Sequence, residues 1–236
     1  MTECHSGLLV SVRNATEAAL VADLPVEVID VKEPDNGSLG CVDLSCLEEI
    51  CRRIGRGRTI SMAMGELQEA RAWDPAKVPA EVRYAKLGLA GCRGLPNWRE
   101  AWRRELARLP SHVRPVAVVY ADDSANAPAA DEIVAGAAAL DCAAVLVDTH
   151  CKSGGGLPSY WNFDRITEFV QETRRLGMFA VIAGGVTLDD LPSIVSARPR
   201  LIGVRGAVCG GFRENSIRVE QVREFAARLS GCLVAS

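Results

Sequence analysis

The stretch VEVIDVKEPDNGSLG, residues 26–40, joins a short apolar run to a loop that holds acids, a lysine, a proline and two glycines. The run is rich in valine and isoleucine, as is typical of a parallel strand that is covered on both faces. The same unit, an apolar run followed by a segment of helical character, recurs along the chain. Eight such runs occur, at residues 7–12, 26–31, 58–64, 84–90, 115–121, 143–149, 178–185 and 201–207.

The segments between the runs carry the capping residues that helices prefer. Asn14 or Thr16 is placed to cap the first helix, and Asp43 or Ser45 the second. The third segment, GELQEARAWDPAKVPAEV at residues 65–82, differs because it contains two prolines. Proline interrupts helical hydrogen bonding, so the sequence predicts a short or broken helix there.

Eight evenly spaced strand–helix units in 236 residues predict one α/β domain, a (β/α)8 TIM barrel that occupies residues 1–236. The main competing fold is an open, doubly wound sheet. Two features disfavour it, because no GxGxxG follows the first strand and the units are evenly spaced from end to end. No linker divides the chain, which indicates a single domain.

The composition excludes several classes of partner. The net charge is −3 and the arginines are interleaved with acids, so we expect no nucleic-acid surface. No apolar run has the length of a membrane span, and MTECHSGLLVSV lacks the pattern of a signal peptide, so we expect a cytoplasmic protein. Nine scattered cysteines without a CxxC pair, and three histidines without metal-ligand spacing, predict neither a disulfide framework nor a metal site.

Lysine is scarce in this chain, and its positions are informative. Only four of the 27 lysines and arginines are lysines. A lysine can lose its proton and form an imine with a carbonyl group, which an arginine cannot do. Lys32, Lys86 and Lys152 lie in or just after even-numbered strands, where the reactive side chains of a barrel converge. Lys77 lies in the proline-containing third segment, and we expect it on the surface.

Two aspartates accompany these lysines. Asp30 lies two residues before Lys32 on the second strand, so both side chains point to the same face, and Asp148 lies four residues before Lys152. Charges inside apolar strands need partners, and crowded cations lower the pKa of one of them. The alternative is a structural ion-pair cluster that plugs the barrel, which we disfavour because such networks at this face usually belong to active sites.

Small residues at the last two strands predict a phosphate site. Gly184 and Gly185 end the seventh strand, and Arg205 and Gly206 end the eighth, where barrel loops often bind phosphate through backbone N–H groups. The glycine-rich KSGGG, residues 152–156, suits a lid, a second anion site or a plain hinge. The residues alone therefore predict a barrel enzyme that acts on a phosphorylated carbonyl compound through a lysine imine.

Several motifs together resemble one known family. They are LLVSVRNATEAALV (8–21), VIDVKEPDNGSLG (28–40), AKLGLAG (85–91), LVDTHCKSGG (146–155) and GVRGAVC (203–209). In these the chain resembles the (5-formylfuran-3-yl)methyl phosphate synthase family over nearly its whole length. The product of that family is also called 4-(hydroxymethyl)-2-furancarboxaldehyde phosphate. The resemblance implies a lyase of methanofuran biosynthesis that condenses two molecules of glyceraldehyde 3-phosphate, loses phosphate and water, and needs no cofactor.

The resemblance also implies roles for individual residues. It makes Lys32 the Schiff-base lysine and Lys86 the proton acceptor, with Asp30, Asp148 and Lys152 as further members of the active site. Two alternatives stay open: another Schiff-base aldolase or lyase acting on a sugar phosphate, and a non-catalytic barrel that binds a phosphorylated metabolite. A homo-oligomer also stays open, because the apolar YWNF at residues 160–163 suits an interface as well as a core.

Overall fold

Eight parallel strands hydrogen-bond in the order of the chain and close into a barrel, because β1 pairs with both β2 and β8. The computed structural model describes residues 6–69 and 73–234. The strands are β1 (Gly7–Val12), β2 (Val28–Val31), β3 (Thr59–Glu66), β4 (Val82–Gly88), β5 (Arg114–Tyr120), β6 (Ala144–Asp148), β7 (Phe179–Ile182) and β8 (Leu201–Val204). The predicted (β/α)8 barrel is confirmed, and the open sheet is not formed.

Seven α-helices follow the strands within the described residues, and the third unit has none. They are α1 (Ala15–Val21), α2 (Leu44–Ile54), α3 (Trp98–Leu106), α4 (Ala130–Ala139), α5 (Phe163–Arg175), α6 (Leu191–Ser196) and α7 (Val219–Val234). Two short 3-10 turns, Leu67–Glu69 and Pro75–Lys77, join β3 to β4. The broken third helix is therefore confirmed for the described part of the segment, whereas residues 70–72, like His5, lie outside it. No helix in the described ranges combines the length and the apolar character needed to cross a membrane.

A side-chain capping bond is present at the start of the first helix and absent at the start of the second. Asn14 caps α1, since its side-chain oxygen accepts a hydrogen bond of 3.0 Å from the backbone N–H of Glu17. Asp43 stands at the cap position of α2 but makes no side-chain capping bond. Helix α2 then buries Leu47 and Ile50 against the barrel. Lys77, between β3 and β4, is exposed as expected.

Apolar side chains fill the barrel in two layers. One layer packs between the strands and the helices, and a second fills the interior of the barrel, with Leu9, Val28, Val118 and Leu146 among its members. Polar residues replace them toward the carboxyl ends of the strands. Ser11, Asp30 and Ser61 are partners in register on β1, β2 and β3, so one polar level crosses three strands. The barrel thus prepares a polar floor at the end where functional loops follow the strands.

Candidate active site

The structure brings the five predicted lysines and aspartates into one pocket at the carboxyl ends of the strands. The pocket has a volume of about 310 Å³. Its charged lining includes Asp30, Lys32, Lys86, Asp148 and Lys152. The first four of these side chains are buried, and Lys152 is more open, with 27% of its side chain exposed. The sequence predicted that side chains from even-numbered strands would lie close together, and the structure confirms that these five do.

Asp30 forms the centre of the polar floor. Its carboxylate accepts a 2.6 Å ion-pair contact from Lys86 Nζ and hydrogen bonds from Ser61 Oγ (2.5 Å) and Ser11 Oγ (2.9 Å). Burial alone would raise the pKa of Asp30, but the positive charges of Lys86 and Lys32 outweigh it and hold that pKa below its usual value. Asp30 therefore stays ionised and holds Lys86 in place.

Asp148 and Lys152 form a second pair at the end of β6. Lys152 Nζ lies 2.8 Å from Asp148 Oδ1 and also donates to the backbone oxygen of Thr149. Burial would raise the pKa of Asp148, yet Lys152 and Lys32 together hold it below its usual value. Each of the two aspartates in the pocket thus has a dedicated lysine.

Lys32 is the lysine without a dedicated carboxylate. Its Nζ donates one hydrogen bond, of 3.3 Å, to the backbone oxygen of Ser38. The loop after β2 folds back to make this contact, since the N–H of Glu33 donates to the oxygen of Gly40 at 2.8 Å. The hydroxyl of Ser38 then donates to the oxygen of Thr149 at 2.7 Å, which ties this loop to the one after β6. The glycines and the proline of KEPDNGSLG allow the chain to turn back in this loop.

The surroundings of Lys32 lower its pKa from 10.5 to about 7. Burial is the main cause, and the positive charges of Lys152 and Lys86 add to it, while Asp148 and Asp30 act in the opposite direction. About half of an amine with this pKa is neutral near pH 7, and a neutral amine is the form that attacks a carbonyl carbon. The environment of Lys32 therefore favours the form of the amine that can react with a carbonyl group.

Glycines border the opposite side of the pocket, where β7 and β8 end. Gly184 and Gly185 have positive φ angles of 91° and 67°, which favour glycine. Gly184 packs so closely on the loop after β6 that a Cβ would lie 2.8 Å from the N atom of Thr149, and one on Gly185 would lie 3.0 Å from Cα of Gly156. The N–H of Leu157 also donates to the oxygen of Gly184 at 2.6 Å. We call this contact of Gly184 and Gly185 with Thr149 and Gly156 the glycine seam, and it joins the KSGGG loop to the predicted phosphate site.

Arg205 differs from its predicted use. Its guanidinium directs all five N–H groups to protein acceptors. The acceptors are the carboxylate of Glu17, which takes two, and the backbone oxygens of Ser11, Arg213 and Asn215. No side-chain donor is then left for a phosphate. Among the four residues predicted to bind phosphate, Gly184, Gly185 and Gly206 remain candidates through their backbone, and Arg205 supports the loop after β8.

Sequence reasoning missed several residues that shape the pocket. Ser11 and Ser61 hold Asp30, and their signal was a serine inside an otherwise apolar strand. Glu17 neutralises Arg205 from the first turn of α1, a position that reads as an ordinary helix acid. Arg213 lines the pocket from the loop after β8, and the sequence signal was an arginine that closely follows two glycines, in CGGFR at residues 209–213.

Comparison with solved structures supports the fold alone. Phosphoribosyl anthranilate isomerase from Thermotoga maritima aligns with a TM-score of 0.64 at 14% identity, covering 96% of this chain and 99% of that one. KGPDC from Streptococcus mutans aligns with a TM-score of 0.62 at 12% identity, covering 96% of this chain and 98% of that one.

Comparison by sequence is more specific. The model of the 4-HFC-P synthase family matches residues 8–226. Curated proteins named (5-formylfuran-3-yl)methyl phosphate synthase are similar over nearly their whole length. The one from Methanococcus maripaludis strain C5 is 30% identical over 92% of this chain and 96% of its own. The one from Methanopyrus kandleri is 30% identical over 94% and 98%. This chain, with its buried lysines and aspartates at the mouth of a closed barrel, therefore belongs to the 4-HFC-P synthase family of enzymes.

Proposed function

We propose that this enzyme condenses two molecules of glyceraldehyde 3-phosphate into (5-formylfuran-3-yl)methyl phosphate through an imine on Lys32. The observation that carries the proposal is the buried, incompletely paired amine of Lys32, with a pKa of about 7, beside the Lys86–Asp30 pair. The names of the relatives support the product, and the cationic lining of the pocket supports a phosphorylated substrate. The overall balance is two triose phosphates giving the furan, one inorganic phosphate and two waters.

The first step forms the imine. The neutral Lys32 amine attacks the aldehyde carbon of one triose phosphate and gives a carbinolamine. Loss of water from that adduct requires a proton, and we assign its donation to Lys86, whose Nζ pairs with Asp30 at 2.6 Å and lines the same pocket. Lys86 is then left as a neutral amine, ready to act as a base in the following step.

The second step uses the imine as an electron sink. Its positive charge makes the neighbouring C–H bond acidic, and the neutral Lys86 takes that proton to leave an enamine. The electron pair of the enamine expels the phosphate of this triose as inorganic phosphate and leaves an enol, and the electron pair of that enol then forms the carbon–carbon bond to the carbonyl carbon of the second triose. Ring closure and loss of water give the aromatic ring, and hydrolysis of the imine releases Lys32.

The remaining polar groups serve the leaving phosphate and the retained one. Lys152 is the most exposed lysine of the pocket, and its positive charge favours the departure of a phosphate. Asp148 positions Lys152 through their ion pair and accepts or returns protons. We assign the retained phosphate to the backbone of Gly184, Gly185 and Gly206, where the absence of side chains allows close approach.

Reductive trapping tests the proposal. The purified enzyme is incubated with glyceraldehyde 3-phosphate and borohydride, the labelled peptide is mapped by mass spectrometry, and furan absorbance is followed in an unreduced sample. We expect label on Lys32 and a furan product. Label on Lys32 without a furan would replace the proposal by a Schiff-base aldolase with another acceptor. Absence of label would leave a barrel that binds a phosphorylated metabolite without forming an imine.

A further inference from the structure

Arg213 spans the mouth of the pocket. It lies on the loop after β8, its side chain is 13% exposed, and it lines the pocket beside Gly206 and Gly211. Its Nη2 donates to the backbone oxygens of Pro34 (2.8 Å) and Gly37 (2.6 Å). The arginine therefore reaches from the loop after β8 to the loop that follows Lys32.

Part of this guanidinium is unused. Neither Nη1 nor Nε makes a hydrogen bond to another residue in the ranges that the structure describes, and Glu214 Oε1 lies 3.9 Å from Nε. Burial lowers the pKa of Arg213, while the negative charges of Asp148 and Glu214 oppose that effect. A partly buried cation with unused N–H donors is stabilised when an anion accepts hydrogen bonds from them.

Arg205 and Arg213, both on this loop, thus differ in the donors they offer to a ligand. Arg205 has no N–H group left, whereas Arg213 keeps N–H groups on Nη1 and Nε, on two different edges of the guanidinium, each of which can donate to a phosphate oxygen. We infer that Arg213 is the side chain that binds a phosphate monoester of the substrate, and that its bonds to Pro34 and Gly37 fix this phosphate relative to Lys32. The identity of the substrate rests on the proposed function, whereas the phosphate site does not.

The test compares phosphorylated and unphosphorylated aldehydes on the same variant. Binding of inorganic phosphate is measured by calorimetry, and borohydride trapping is compared for glyceraldehyde 3-phosphate and glyceraldehyde. In Arg213→Gln we expect phosphate affinity to fall by about 10- to 100-fold, as for loss of a charged hydrogen-bond pair. The trapping preference for the phosphorylated aldehyde falls by a similar factor, and trapping of glyceraldehyde is unchanged. Arg213→Lys restores part of the affinity, because it keeps the charge without the planar set of donors.

Arg13→Gln is the matched control. Arg13 braces the same loop through Glu33 (2.5 Å) and Asp35 (2.6 Å) but does not line the pocket, so we expect its phosphate affinity to be unchanged. Equal losses for both aldehydes in Arg213→Gln, or the same loss of phosphate affinity in Arg13→Gln, would show that Arg213 only braces the loop and would overturn the inference. Phosphate binding through Arg213 without furan formation would uphold the site and refute the proposed condensation.

Discussion

Two sets of buried charges lie at the same end of this barrel, and they differ in how completely they are paired. Arg205 and Glu17 balance each other, and every N–H group of the guanidinium has an acceptor. In the pocket, three lysines share two aspartates, so Lys32 keeps an amine with one long hydrogen bond to a backbone oxygen. The fully hydrogen-bonded pair of Arg205 and Glu17 holds a loop in place, whereas Lys32, which has no carboxylate of its own, keeps an amine that can react.

Replacing the unpaired lysine should have the largest effect. Lys32→Arg keeps a cation of similar length but cannot form an imine, so we expect loss of all borohydride trapping and of furan formation while the fold is retained. Trapping by mass spectrometry and circular dichroism measure the two properties. Appreciable turnover in this variant would refute the assignment of Lys32. Lys77→Arg, at an exposed lysine outside the site, is the control and should leave trapping intact.

Breaking the completed pair should act on stability. Glu17→Gln removes the negative charge and leaves the buried guanidinium of Arg205 without its counter-ion, so we expect the free energy of unfolding to fall by about 3–5 kcal/mol. Urea denaturation followed by circular dichroism measures this change. Glu172→Gln, in an exposed pair with Arg175, is the control, and we expect it to leave the free energy of unfolding essentially unchanged because water screens that pair. Equal losses of stability in the two variants would show that the buried pair does not stabilise the fold more than the exposed pair does.

Removing the unpaired cation should act in the opposite direction. The pKa of Lys32 is about 7 in the folded enzyme against 10.5 for a free lysine, so the unfolded chain binds more protons between those pH values. The free energy of unfolding therefore rises with pH across this interval, and below it the cost of the buried cation is fully present. We expect Lys32→Met to be more stable than the native chain at pH 6, by up to about 4 kcal/mol, with an advantage that shrinks to less than about 1 kcal/mol toward pH 10. Urea denaturation at several pH values measures it, and a constant difference would contradict the assigned pKa.

The repeat of apolar runs was enough to predict the barrel, but the ends of the runs were less predictable. The third strand continues to Glu66, beyond the predicted residue 64, and the seventh stops at Ile182, before the predicted residue 185. The strand β7 stops because Gly184 and Gly185 take positive φ angles. Periodicity reports which residues are buried, whereas these angles depend on the neighbouring loop.

The charged residues show the same limit. The number and spacing of the lysines were enough to locate the pocket, since strand order fixes which side chains converge. Which partner each charge takes was not predictable, because Glu17 and Arg205 are 188 residues apart and meet only after the barrel closes. The same applies to Arg213, which acquires its carbonyl partners from the loop after β2.

The glycine seam between the loops after β6 and β7 restricts how this enzyme can change during evolution. A side chain at Gly184 or Gly185 fits only if the facing backbone at Thr149 or Gly156 retreats. The loop that carries Lys152 and the loop assigned to phosphate therefore cannot diverge separately. Divergence of one loop should be accompanied by a compensating substitution in the other, so a lineage that acquires a new substrate would have to remodel both together.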